Sequence, residues 1–518
     1  MTTPGDLSRR TFLAAAAGVG AATMAGAVPV AVQPAAIDDA VAEAGKVWPV
    51  PGMCVAVVQG GAVHVKGYGV REAGAKKPVT PETLFGVGSC TKAVAAATAA
   101  VLIDAKKLAW DDPVRKHLPW FRLADPLAER DATLRDCLCH RLGIHGRHET
   151  LYILAPWPLE ENVRRLAHLE QAFPFRSVFH YCGLNYFVAA AVLSAAAGKP
   201  WHEFAREALL GPAGMAEAGF TDGDWLKADD RASCHLRTPD DKVVVIPPWN
   251  PGPDQIDANG RLKASGRAMA AWLRLHLAGG ANGDKRVVSA ANLAETRTPQ
   301  MVIRREGFWA DAFPMAETTQ LSYALGWKVR DYRGHGVLSH AGRTTGFSTE
   351  MVLVPRADLG FAILTNLDEC WLPEALMHTL LDQFLGLPAK DWNAHYRAVE
   401  QGLEKAAAKE KGTWEAKRKP DARPTLDLAL YAGTYTEPAY KDVTVTLVGG
   451  KLCMRWSRFD AELRHHYHDT FTATGGAGVN VRNENSLHGE AVRFLLDGEG
   501  RVGALEWYGQ RFQRERGN

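Results

Sequence analysis

The chain carries almost no excess of charge of either sign. Its 60 Lys and Arg against 58 Asp and Glu leave +2 at pH 7 over 518 residues, so no strongly basic face is implied and nucleic acid is excluded as an expected partner. No dinucleotide-binding glycine fingerprint, no Walker loop and no paired-histidine zinc helix is present, so no cofactor and no metal is expected. Long apolar runs are also missing. Beyond the N-terminus no segment reaches the roughly 18–20 apolar residues of a membrane span, and Leu184 to Ala197 is too short for one and suits a core helix. What remains is a chain with 47% apolar residues, long enough for one large domain and a small one.

Chemistry enters at Ser89-Cys90-Thr91-Lys92. A hydroxyl and an amine three residues apart share one face at the start of the Ala-rich run Ala93 to Ala105, and the N-terminus of that helix offers unpaired N–H groups to a developing anion. In a dry site the lysine is pushed toward its neutral form, which accepts a proton. Upstream, Thr83 to Gly88 reads as the end of an apolar strand and a glycine-bearing turn.

The stretch from Thr83 to Pro119 resembles the nucleophile region of the serine β-lactamase and penicillin-recognising hydrolase family, above all its class C-like esterases, D-aminopeptidases and β-lactamases. Leu138-Cys139-His140-Arg141-Leu142-Gly143-Ile144 is similar to a turn of that family, with Leu142 where Ser or Thr is usual. Phe179 to Tyr186 resembles its Tyr-x-Asn loop, which implies that Tyr181 sits beside Ser89 and Lys92 as a proton shuttle, its phenol acidified by the nearby ammonium. Gly183 departs from the pattern, standing where an Asn holds the substrate's amide carbonyl, and Asn185 lies two residues further on. Ser339 to Phe347, followed by apolar runs on either side of Pro355-Arg356-Ala357-Asp358, is similar to the strand bearing the Lys-Thr-Gly or His-x-Gly motif and to its hairpin. The resemblance implies that the strand lies at a sheet edge, that the N–H groups of Ser89 and Arg343 form an oxyanion hole, and that His340, Gly342 and Arg343 bind substrate, with the Arg343 side chain available to a carboxylate.

These matches cover residues 40–390 and imply an α/β (α+β) fold, an antiparallel sheet flanked by helices with a helical subdomain. Residues 37–390 are assigned to it. Residues 391–424, charged and rich in Lys, Glu and Ala, read as a helical linker or hinge. Residues 425–518 change to short alternating strands with hairpin turns, which predicts a small antiparallel barrel or curved sheet. The relatives imply that this domain lies at the active-site mouth, and the alternative is an appendage remote from it. His465, His466 and His468 alternate along one strand and read as solvated or locally bonded rather than as a metal site.

Residues 1–36 hold Ser8-Arg9-Arg10-Thr11-Phe12-Leu13, an Ala/Gly-rich run and Ala25-Gly26-Ala27, similar to a twin-arginine export signal with its cleavage site. Export to a periplasmic or extracellular space is therefore expected, with no stable membrane span after cleavage. Eight cysteines would meet an oxidising compartment, yet proteins exported folded need no disulfide framework, and Cys90 and Cys182, beside the catalytic candidates, read as free buried thiols. The expected function is an acyl-enzyme serine hydrolase acting on a small ester or D-amino-acid-type amide, with Ser89, Lys92 and Tyr181 catalytic. The alternatives are a β-lactamase or a catalytically weak penicillin-recognising binding or sensor protein. The partner is a small-molecule or peptide substrate, and the oligomeric state is left open.

Overall fold

The computed structural model of the chain describes residues 33–515 except 150–153, 156, 239, 249–256, 308–309, 311, 420 and 476–488. The twin-arginine segment lies outside the described residues.

Eight antiparallel strands form the main sheet: β1 Gly52–Gln59, β2 Ala62–Gly69, β3 Met301–Val302, β4 Thr318–Tyr323, β5 Lys328–Tyr332, β6 His335–Thr344, β7 Phe347–Val354 and β8 Leu359–Thr365, in the order β2-β1-β8-β7-β6-β5-β4-β3. Strands β1, β7 and β8 are buried at every position, which explains why they read as continuous rather than alternating apolar runs: both faces of the sheet are covered. Helix α6 (Gly266–Leu277) packs on β1 and β8 from one side, while α1 (Pro34–Val47) and α7 (Leu372–Phe384) cover the other. The turn read at Pro355 to Asp358 joins β7 to β8, with Asp358 in the left-handed region at φ 44°.

The helical layer holds α2 (Thr91–Asp104), α3 (Leu134–Leu138), α4 (Leu159–Arg165) and α5 (Leu184–Ala197). Helix α2 is buried on almost every side and packs against α5, so its alanines serve close helix approach rather than an amphipathic face. Past the sheet, α8 (Trp392–Ala416) is a single helix fixed at both ends. Near its start the Trp392 Nε1–H donates to Asp382 at 2.7 Å, and near its end Trp414 stacks on His466 with ring centroids 4.0 Å apart. The segment read as helix or hinge is thus a strut.

The C-terminal strands close into an eight-stranded barrel: β9 Gly433–Glu437, β10 Lys441–Val448, β11 Lys451–Trp456, β12 Phe459–Tyr467, β13 Thr470–Thr474, β14 Ala491–Leu496, β15 Val502–Trp507 and β16 Gln510–Arg514. Closure leaves no free edge, and alternate residues such as Tyr435, Val443, Met454, Trp456, Phe494, Trp507 and Phe512 fill the interior. β12 has a register shift between His465 and Tyr467; His466 packs against Trp414 of α8, while His465 Nε2 bonds to the His468 carbonyl at 2.7 Å. The barrel docks on the helical layer through Arg165 to the Pro438 carbonyl at 2.7 Å, Ser457 to the Leu154 carbonyl at 3.2 Å, and the edge-on pair Trp157 and Trp456.

Candidate active site

Ser89 lies in a tight turn, Gly88–Cys90, that feeds directly into α2. Thr91 fixes the turn twice: its hydroxyl donates to the Gly88 carbonyl at 2.7 Å and accepts from the Leu262 N–H at 3.0 Å. Gly88 has φ 50°, and a Cβ on it would meet Arg343 N at 2.6 Å. The backbones of the Ser89 turn and of β6 therefore lie in contact at Arg343.

Lys92 is fully buried and its Nζ donates to Ser89 Oγ at 2.9 Å, to the Asn259 carbonyl at 2.9 Å and to Asn259 Oδ1. It also lies over the rings of Tyr181 (4.8 Å) and Tyr186 (5.2 Å). Burial lowers its pKa to about 8, against an opposing pull from Glu149 and Asp257. The structure brings Ser89, Lys92 and Tyr181 together, with a hydrogen bond between Tyr181 and Ser89. One expectation is corrected here. The Tyr181 phenol is not acidified: burial holds its pKa well above the ordinary value, so the desolvation of a phenolate outweighs any help from the lysine.

Each of the three residues expected to bind substrate has contacts of its own within the protein. His340 is buried beneath Tyr181; its Nε2 accepts from the Tyr323 hydroxyl at 2.9 Å and its Nδ1–H donates to the Ala341 carbonyl at 2.7 Å, leaving a neutral ring whose pKa burial holds well below the usual value. Gly342 is small for the sake of the Ser89 turn, since a Cβ there would sit 2.0 Å from the Val87 carbonyl oxygen. Arg343 points its guanidinium to the opposite face of the sheet, where it bonds Glu374 on α7 at 2.6 Å and lies over Trp371. No side-chain cation of β6 faces the cleft, and the Arg343 N–H is the expected donor. The strand is also not an edge. It pairs with β7 over Leu338 to Thr344 but with β5 only up to Ser339, so an interior strand extends past a shorter neighbour and its last residues lack a partner on that side.

Sequence reasoning missed Glu149, Asp257 and Asn259. Asn259 Nδ2 donates to Glu149 Oε1 at 2.7 Å, the Gly183 N–H donates to Glu149 Oε2 at 2.6 Å, and the Asn259 N–H donates to Asp257 Oδ1 at 2.7 Å. The vacancy left by Gly183 is therefore filled: a Cβ there would meet Glu149 Oε1 at 2.3 Å and Asn259 Nδ2 at 2.6 Å. The Asn185 side-chain amide donates to the Cys182 carbonyl within its own helix turn at 2.9 Å, and its Oδ1 is buried without a hydrogen-bond partner among the described residues. Cys90 and Cys182 are free and buried, with thiol pKa values pushed well up by burial. Among the described residues no group of three His, Cys, Asp or Glu is placed to hold a metal ion.

A sheet behind a buried helix that starts with Ser and Lys, facing a Tyr loop, defines a penicillin-binding-protein-like hydrolase. The chain belongs to the Beta-lactamase family, whose profile matches residues 37–374, and residues 417–517 match a domain of unknown function, DUF3471. It is 29% identical over 426 residues to a protein named Unguisins hydrolase ungD' of Aspergillus campestris, covering 77% of this chain and 75% of that one. It is 27% identical over 318 residues to Penicillin-binding protein 4 of Amycolatopsis lactamdurans, covering 61% of this chain and 81% of that one. Among solved structures, the octameric penicillin-binding protein homologue from Pyrococcus abyssi matches with a TM-score of 0.61 at 19% identity, over 93% of this chain and 99% of that one, a likeness of fold that takes in the barrel.

Proposed function

We propose that the chain is an exported serine hydrolase that cleaves a small ester or a D-amino-acid-type amide through an acyl-enzyme on Ser89. The observation that carries this reading is the 2.9 Å contact between Ser89 Oγ and a buried Lys92 whose pKa is lowered to about 8. At pH 7 roughly a tenth of such a lysine is neutral, enough to serve as general base. Ser89 Oγ bonds to the substrate carbonyl carbon and its proton passes to Lys92 Nζ. The oxyanion is held by the Ser89 and Arg343 N–H groups. As the carbon–leaving-group bond breaks, the proton travels to the leaving atom through the Tyr181 hydroxyl, which stays protonated overall, giving one proton as it takes another. Water then repeats the sequence in reverse roles and returns the proton to Ser89.

An ester or amide without a carboxylate next to the scissile bond is favoured over a β-lactam, because the His340 ring is neutral and buried and the Arg343 guanidinium is committed to Glu374. The relative named a hydrolase supports a hydrolytic reading, and the Arg9-Arg10 segment supports export. Ser89→Ala is expected to abolish covalent labelling by a fluorophosphonate probe; a variant that labels as strongly as wild type removes the nucleophile assignment. A panel of short-chain esters, D-aminoacyl anilides and cephalosporins tests the substrate class, and efficient turnover of cephalosporins alone overturns the preference.

One observation favours a second reading, a slow acylating binder. Three acceptors converge on Lys92 Nζ, a set that suits an ammonium and so opposes its role as a base. A persistent adduct by intact mass, without turnover, selects the binder, and regenerated free enzyme selects the hydrolase.

A further inference from the structure

The segment carrying Glu149 touches two things at once. Glu149 faces the cleft, accepting from the Gly183 N–H and from the side chain of Asn259, the residue that holds Lys92. Its neighbour His148 faces the barrel, where its Nδ1 is hydrogen-bonded to the Tyr440 hydroxyl. Both ring systems are buried, His148 at 2% exposure and Tyr440 at 1%, and burial lowers the His148 pKa to about 4, so the imidazole is neutral.

Tyr440 is itself held with little freedom. It closes the turn between β9 and β10, in which the Glu437 carboxylate accepts from the N–H groups of Ala439 (2.7 Å) and Tyr440 (2.9 Å), and the Trp456 Nε1–H donates to the Tyr440 carbonyl at 2.8 Å. A second barrel turn bears on the same segment, since a Cβ on Gly509 would lie 2.6 Å from the Arg147 guanidinium. A rigid turn of one domain thus grips the residue next to a carboxylate of the other domain's site.

We infer that Tyr440 is a positioning residue for the reaction: through His148 it fixes Glu149, and through Glu149 it fixes Asn259 against Lys92, so that the barrel completes the environment of the proton acceptor. The inference rests on the reading of Lys92 as that acceptor. It gives the barrel a chemical task distinct from covering the cleft, one that does not depend on the size of the substrate. The direction of the effect follows from charge. Glu149 is an anion near Lys92 and favours its protonated form, so releasing Glu149 lowers the Lys92 pKa while loosening Asn259.

The test is the pH profile of kcat on a chromogenic short-chain ester, for the full chain carrying Tyr440→Phe, His148→Gln, Glu149→Gln, and Tyr440→Phe with Glu149→Gln. Phe keeps the aromatic ring packed against Trp456 and Phe512 and removes only the hydroxyl. Tyr440→Phe is expected to move the alkaline-rising limb down by about half a pH unit and to lower the plateau about three- to tenfold, the loss that follows when one buried hydrogen bond no longer orients a site. Glu149→Gln moves the limb the same way, His148→Gln follows Tyr440→Phe, and the double variant is no worse than Glu149→Gln alone, because the hydroxyl acts only through the carboxylate. A purely structural tyrosine would lower the melting temperature and leave the limb in place. A limb that moves in Glu149→Gln but not in Tyr440→Phe overturns the relay and leaves Lys92 as the base; a limb unmoved by either, or a wild type with no such limb, overturns the reading of Lys92 itself.

Discussion

Gly183→Ala adds a single methyl group, and the structure decides its sign. The residue has φ −61° and ψ −26°, ordinary right-handed geometry, so alanine introduces no backbone strain and by itself would stabilise by about 0.4–1 kcal/mol through a less free unfolded chain. The surroundings reverse this. The new Cβ would lie 2.3 Å from Glu149 Oε1 and 2.6 Å from Asn259 Nδ2, well inside van der Waals contact, so the carboxylate must swing away. It then gives up its bonds from the Gly183 N–H (2.6 Å) and from Asn259 (2.7 Å). Bonds to a charged group are worth about 1.5–3 kcal/mol each, and because Glu149 is only half-buried, water restores part of that, leaving a net loss of about 1–3 kcal/mol. The same movement frees Asn259, whose carbonyl and side-chain oxygen hold Lys92, and kcat on a short-chain ester is expected to fall about 10- to 100-fold, equivalent to about 1.4–2.8 kcal/mol of barrier. The assay pairs thermal unfolding with steady-state kinetics on wild type, Gly183→Ala, Glu149→Ala and the double variant. In the double variant the methyl group enters space the carboxylate has left, so its stability should exceed that expected from adding the two single losses. A Gly183→Ala protein as stable and as active as wild type would refute the reasoning, since the carboxylate could not then be where it is described.

The outline of the fold was legible because its signals are local. Ser89 and Lys92 at helical spacing, the turn at Pro355 to Asp358 between two apolar runs and the hairpin turns past Leu426 each specify an element within a few residues, and α2, the pair β7 and β8, and the barrel stand where those signals fall. The surroundings of the site were not legible, for two physical reasons. The first is that backbone contact consumes residues that look functional: Gly342 serves the Val87 carbonyl, and Arg343 alternates with it to the far face of β6, so a motif read as a substrate surface is half packing. The second is that Glu149 and Asn259 meet across 110 positions of sequence. Asp257-Ala258-Asn259-Gly260 has only the composition of a turn, and nothing in Glu149 beyond its following the His140 turn marks it. The one available signal was Gly183, where the absence of a side chain implied that something else must occupy the space.

Three further outcomes follow from the same contacts. Activity limited by neutral Lys92 should rise about tenfold per pH unit below about 8 and level off above it, and an apparent pKa near the ordinary 10.5 would contradict the buried environment. The same lowered pKa sets a stability trend. The folded protein releases this proton before the unfolded chain does, so the Lys92 contribution to stability is poorest below about 8 and improves between about 8 and 10.5, measurable as the difference between wild type and Lys92→Met denaturation midpoints across that window. The last outcome separates the two halves of Arg343. Its guanidinium, 19% exposed, pairs at 2.6 Å with Glu374, 8% exposed, on the face of the sheet away from Ser89, so Arg343→Ala strands a buried carboxylate and should cost about 3 kcal/mol of stability. The N–H proposed for the oxyanion hole is backbone and survives the substitution. If the side chain has no part in binding, the folded variant, assayed well below its lowered melting temperature, keeps KM for a neutral ester and for one bearing a carboxylate in the same ratio as wild type. A selective rise in KM for the carboxylate-bearing ester would show that the guanidinium leaves Glu374 to meet substrate, and the opposite face of β6 would then have to open during the reaction.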